Sequence, residues 1–105
     1  MVYVDDRDYE WGGVVLSVMV ADGLAELRDV ADHVGIPRFY EWHWPFPLYV
    51  VAQSKRALIL SSRLARRCTA EQLDAMVTRR RLTGALGEPG DALDWISRVY
   101  LGRRL

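Results

Sequence analysis

The run Val14 Val15 Leu16 Ser17 Val18 Met19 Val20 Ala21 constrains the fold more than any other feature of this chain. It is rich in β-branched residues and interrupted only by Ser17, so it lacks the alternation of a strand with one wet face. A strand of this kind is buried on both sides and takes a central place in a layered α/β sheet. It is also far short of the ~20 apolar residues that a membrane-spanning helix needs. Val2 Tyr3 Val4, ending at Asp5 Asp6, forms a shorter strand before it. The link from Asp5 to Gly13 is too short for a parallel crossover, so the two strands are expected to pair antiparallel, with Gly12 and Gly13 supplying the turn.

Helical signals follow. Asp22 stands as an N-cap before Leu24, Leu27, Ala31 and Val34, which make one apolar stripe opposite Glu26, Arg28, Asp29 and Asp32, and Gly35 closes that helix. Leu48 to Ala52 reads as a third strand, and Ser54 caps a second helix through about Arg63. Strand, helix, strand implies a right-handed parallel crossover. Residues 64–68 suit a short edge strand. Thr69 and Gln72 have the spacing of a capping box and open a third helix carrying Leu73, Met76 and Val77. A Gly- and Pro-containing link, residues 84–90, leads to a last helix capped by Asp91. There Ala92, Trp95, Ile96, Val99 and Tyr100 share a face, and Asp94 and Arg98 are spaced for an ion pair. The expectation is one mixed α/β domain over residues 1–105, with three or four strands, about four helices, and an antiparallel first strand on a parallel core.

With 105 residues, half of them hydrophobic and 27% charged, the composition is that of a globular domain rather than a disordered or membrane chain. A single cysteine, Cys68, and an N-terminus without the charged and apolar regions of a signal peptide point to a cytoplasmic protein. The 14 basic and 14 acidic side chains cancel, but residues 1–45 carry a net charge of minus six and residues 46–105 plus six. Either the two halves attract each other across the domain, or the basic half faces a phosphate or nucleic acid.

Tyr3 Val4 Asp5 Asp6, then Ala21 Asp22 with Glu26 Leu27, then Ser54 Lys55 Arg56 Ala57, resembles an uncharacterised family of small bacterial and actinophage proteins, over roughly residues 2 to 75. The resemblance implies a small cytosolic α/β domain and carries no activity with it. It also implies histidines at the positions of Val18, Arg28 and Leu48, and an aspartate at that of Val50. Valine and leucine offer no ligand atom and arginine no free lone pair, so a metal or catalytic site built on those positions would be lost here. No cofactor is expected, and a divergent, non-catalytic member is the reading this supports.

Several constellations could carry function. Residues 39–49 read Phe Tyr Glu Trp His Trp Pro Phe Pro Leu Tyr, and at strand spacing Tyr40, Trp42, Trp44, Phe46 and Leu48 share one face. Pro45 and Pro47 cannot donate to a ladder, which confines the segment to an edge strand or a surface loop. Aromatics placed there either fold back on the core or form a binding hot spot, with Tyr40, Trp42, His43, Trp44, Phe46 and Tyr49 as the candidate contacts. Lys55 and Arg56 stand in the first turn of a helix, where the dipole disfavours cations, so they require either an acid or a bound anion. With a parallel crossover, Asp22 would lie at the same sheet edge. The Arg79, Arg80, Arg81 run falls in a last helical turn, a solvated end or an extension of such an anion site. Asp5, Asp6 and Asp8 could hold a divalent cation, but an antiparallel first pair puts Asp22 at the opposite edge. Arg66 and Arg67 would lower the Cys68 thiol pKa if the side chain were accessible, although a small buried residue is the commoner role.

The function expected is a non-enzymatic protein-interaction or regulatory module that binds a protein partner, or a second copy of itself, through residues 39–49. The alternatives are a phosphate or nucleic-acid binder using the basic half, and a metal-dependent hydrolase using Asp5, Asp6 and Asp22.

Overall fold

The computed structural model describes residues 1–43 and 47–101, with side chains through residue 99. Six strands and four α-helices follow one another as β1 (Val2–Val4), β2 (Tyr9–Trp11), β3 (Val14–Ala21), α1 (Leu24–His33), β4 (Glu41–Trp42), β5 (Leu48–Ala52), α2 (Gln53–Ser61), β6 (Arg66–Arg67), α3 (Ala70–Thr83) and α4 (Pro89–Trp95). A 3₁₀ turn (Arg38–Tyr40) precedes β4, and a π-helical segment (Ile96–Leu101) extends α4. No helix among the described residues is long and apolar enough to cross a membrane.

The sheet is mixed, in the order β4-β5-β3-β1-β6, with β2 also paired to β3. As its apolar run requires, β3 is central. It pairs antiparallel with β1 (Val4 opposite Met19) and with β2 (Trp11 opposite Val14). Gly12 and Gly13, at φ +57° and +78°, form the two-residue turn of the β2–β3 hairpin, a conformation that few residues other than glycine adopt.

The parallel core is not there. β5 runs antiparallel to β3, with Val18 opposite Val50, and among the described residues the one parallel pair is β1 with the edge strand β6. The reason is the short strand β4, which the sequence reading offers as an edge strand or a surface loop without placing it in the strand order. α1 delivers the chain to β4, which runs in the same sense as β3. The hairpin from β4 to β5 then turns back and fits β5 between them. The count of three or four strands fails for the same reason, since β2 and β4 span only three and two residues.

Local signals account for both ends of α3. Thr69 Oγ1 accepts from the Gln72 N–H (3.0 Å) while Gln72 Oε1 accepts from the Thr69 N–H (2.9 Å), the capping box that its spacing predicts. Gly84, at φ +87°, terminates α3. α1 starts one residue later than expected, with Gly23 as its cap and the Gly23 N–H held by Glu26 Oε1 (3.2 Å). α2 and α4 are capped at Ala52 and Glu88 rather than at Ser54 and Asp91.

Two helical layers sandwich the sheet. One face carries Val2, Val4, Met19, Ala21, Tyr49 and Val51, covered by Leu27, Val30 and Ala31 of α1 and Ile59 of α2. The other carries Tyr3 and Val20, covered by Leu73 and Met76 of α3, Leu86 and Ala92. The second layer covers the β1 side of its face and reaches Val18 and Leu48 at its margin, and among the described residues the part of the face beyond them is not covered by a helix.

Candidate interaction surface

Alternation along the strands sets what that open region presents. The register aligns Val14 and Leu16 of β3 with Trp11 and Tyr9 of β2, Ala52 of β5 with Leu16, and Trp42 of β4 with Leu48. These side chains lie on the face opposite α1 and α2, and of them Leu48 packs against the α3 and α4 cluster. Of them, Tyr9, Trp11, Leu16, Trp42 and Leu48 line a concavity of about 730 Å³ whose floor is Leu16, Leu48 and Val50. Its walls are Tyr9 and Trp11 on one side and Phe39, Tyr40 and Trp42 on the other. Tyr9, Trp11 and Trp42 are 60–62% exposed and Phe39 80% exposed, although each has a strand or turn backbone that fixes its position. Aromatic bodies on rigid supports lose little rotamer freedom on contact, a property that binding hot spots share.

The sequence locates half of this surface. Trp42 lies on the edge strand and is free, and Tyr40 stands beside it. His43 is exposed near Glu41, with Nε2 3.6 Å from Oε1, and does not line the concavity. Trp44 and Phe46 lie outside the described residues. Tyr49 leaves the candidate set: it belongs to the opposite face, is fully buried, and its hydroxyl accepts from Arg38 Nη1 (2.9 Å). Tyr9 and Trp11 were not among the candidates. Their signal was the pattern aromatic, polar, aromatic before Gly-Gly, a hairpin signature in its own right.

The rim near β4 is fixed by ion pairs. Arg28 of α1 holds the Glu41 carboxylate with Nε (2.9 Å) and Nη2 (3.2 Å), a forked geometry that sets orientation as well as charge. Only 4% of the Glu41 side chain is accessible, and Arg28 keeps its pKa below the usual carboxylate value. Arg38 holds Asp32 in the same way (2.6 and 3.0 Å).

The acidic N-terminal cluster has a structural occupation. Asp5 is fully buried, ion-paired with Arg7, and accepts the Val18 N–H (2.9 Å). Arg7 continues to Asp74 (2.7 Å), and Asp6 Oδ1 accepts the Ala70 N–H at the start of α3 (2.9 Å). Among the described residues, no three His, Cys, Asp or Glu side chains come close enough to share a metal ion. Asp22 lies at the other sheet end, 3.7 Å from the Met1 ammonium.

Because β5 is antiparallel to β3, the N-terminus of α2 lies by the end of β1 and not by Asp22. Lys55 Nζ donates to the Val34 carbonyl at the C-terminus of α1 (2.8 Å), and Arg56 Nε to the Asp5 carbonyl (2.8 Å). Backbone carbonyls thus take the place of the acid that the sequence calls for. The arginine run diverges: Arg80 Nη1 donates to the carbonyls of Ala21 (2.9 Å) and Asp22 (3.1 Å), Arg79 packs over Gly87, and Arg81 is exposed. The two oppositely charged halves therefore meet largely through cations on carbonyls. The described ion pair between them, Arg7 with Asp74, has the reverse polarity to that expected. Cys68 is buried, and its burial, with Asp5 and Asp6 nearby, pushes the thiol up to about 12, so Arg66 and Arg67 do not activate it.

Of the positions where the resemblance implies polar ligands, Val18 and Val50 are directly paired, and Leu48 and Val50 form part of the floor. The fourth, Arg28, belongs to the α1 layer. That floor is aliphatic in this chain.

No curated protein and no solved structure matches the chain. A family model does match, and its span takes in every residue of the open face: the chain belongs to DUF4031, a family of proteins of unknown function, over residues 2–80.

Proposed function

We propose that this chain is a non-enzymatic interaction module of bacterial or phage origin, acting in the cytoplasm. It binds a protein through the open aromatic face and works by occlusion or tethering. The observation that carries the reading is the concavity of about 730 Å³ with an aliphatic floor and walls of exposed Tyr9, Trp11, Tyr40 and Trp42. Contiguous exposed apolar area of this kind is uncommon on a monomer without a binding role. The charged group in its lining, Glu41, is already neutralised by Arg28, so the surface offers contact area rather than an unpaired charge. The origin and compartment rest on the Tyr-Val-Asp-Asp and Ser-Lys-Arg-Ala resemblance and on the single cysteine.

The basic half supports the reading less well as an anion site, because Lys55, Arg56 and Arg80 each give a donor to a backbone carbonyl. Affinity capture from nuclease-treated bacterial lysate compares the two surfaces. Wild type is set against Trp11→Ala/Trp42→Ala and against Arg66→Glu/Arg67→Glu on the exposed edge strand β6. Capture of a defined protein, lost only in the tryptophan variant, is expected. Capture that depends only on the arginines would contradict it.

A further inference from the structure

We propose that the occupant of the open face is a second copy of this chain, packed groove to groove about a two-fold axis. The inference rests on the reading of that face as a binding surface and names what binds there.

Three observations carry it. The first is relief. Tyr9 and Trp11 on β2 and Trp42 on β4 stand as ridges on either side of the lower strip formed by Leu16 and Val50. A two-fold rotation sets a ridge of each copy into the strip of the other, the self-complementary arrangement that an isologous dimer needs. The second is area. Aromatic side chains bury about 150–250 Å² each, so the exposed portions of Tyr9, Trp11, Phe39, Tyr40 and Trp42 together offer on the order of 600 Å² per copy. A stable standard-size interface takes about 800 Å² per partner, most of which these side chains alone would supply.

The third observation is charge. The chain has a formal net charge of zero, so two copies approach without overall repulsion. The charged group in the lining of the groove, Glu41, is paired with Arg28, and Asp32 is paired with Arg38, so closing the face strands neither of these charges. The second copy would also complete the layer that α3 and α4 leave unfinished over this side of the sheet.

Sedimentation velocity across a wide protein concentration range, on wild type, Trp42→Ser and Trp11→Ser, tests the proposal. Wild type is expected to reach twice the 12.0 kDa chain mass, and both variants to stay at one chain mass with an unchanged circular dichroism spectrum. Should either variant fail to fold, Phe39→Glu replaces it, at a side chain 80% exposed. A wild type that stays monomeric at every concentration, or a dimer that survives the substitutions, overturns the proposal. A monomer whose captured protein is lost with Trp11 and Trp42 removes the dimer and leaves the interaction reading standing. A monomer whose capture ignores both tryptophans removes both.

Discussion

Asp5 and Val18 are bonded through a side chain where two carbonyls would ordinarily alternate. The Asp5 N–H donates to the Val18 carbonyl (3.0 Å), but the Val18 N–H donates to Asp5 Oδ1 (2.9 Å) rather than to the Asp5 carbonyl. That carbonyl is thereby free to accept from Arg56 Nε (2.8 Å), which ties α2 to the end of β1. The ladder between β1 and β3 thus ends at a buried carboxylate. The chain swings out over residues 5–8 and re-enters as β2, the strand that carries Tyr9 and Trp11.

Asp5→Ala removes one of the two carboxylate partners of Arg7 and leaves the Val18 N–H without its acceptor in the interior. Leaving a buried donor unsatisfied in this way costs about 1–3 kcal/mol. Asp5→Asn, which keeps an acceptor for Val18, is expected to cost less. Urea unfolding midpoints check both, and an Asp5→Ala variant within about 1 kcal/mol of wild type would contradict the role given to this residue.

Much of this was legible in the sequence and some was not, for physical reasons. The central place of β3, its antiparallel pairing with β1, the capping box at Thr69 and the stop at Gly84 follow from local rules acting over a few residues. The direction of β5 did not follow, because it depends on whether Glu41 and Trp42 form a strand, and two residues give no periodicity. β2 was lost in a similar way, its three residues read as part of a link. Tyr49 was misplaced because it was grouped with the aromatic segment by composition, although strand alternation sets it on the face opposite Leu48, where α1 and α2 bury it. The aromatic character of the surface was visible, whereas its second wall needed the β2–β3 register.

Arg63 is the one described residue other than glycine with a positive φ, +56°, and it closes α2, with the Leu64 N–H reaching back to the Ile59 carbonyl (3.0 Å). An arginine there carries a left-handed penalty of about 1 kcal/mol that glycine does not. Arg63→Gly is expected to raise the unfolding midpoint by an amount of that order. Thermal unfolding checks it, and a lowered midpoint would argue against this helix end.

Glu41 has its pKa lowered from 4.5, chiefly by its hydrogen bonds to Arg28. A carboxylate depressed in the folded state contributes stability above its unfolded pKa and loses it as pH falls through the folded value. Wild type should therefore weaken progressively below about pH 4.5, and Glu41→Gln should flatten part of that decline. Denaturant midpoints from pH 7 down to pH 3 measure both slopes. Identical slopes would contradict the pairing.

Cys68 has the opposite linkage. Its thiol is raised from 9.0 to about 12 by burial and by Asp5 and Asp6, so the neutral form stabilises the fold below pH 9 and that contribution is lost between pH 9 and 12. A disulfide reagent at pH 8 is expected to leave the native protein unmodified and to react rapidly once denaturant is added. Prompt reaction of the native protein would show an accessible thiol.

The open aromatic face is tested most directly by a photo-crosslinking phenylalanine analogue, placed at Phe39 on the wall of the concavity and, in a separate protein, at Leu58 on the exposed side of α2. Each is irradiated at high protein concentration and in lysate. Phe39 and Leu58 are 80% and 45% exposed, so both positions are free to react. Defined adducts from position 39, and none above background from position 58, are expected. Adducts confined to position 58, or none at 39, would contradict the assignment of the face.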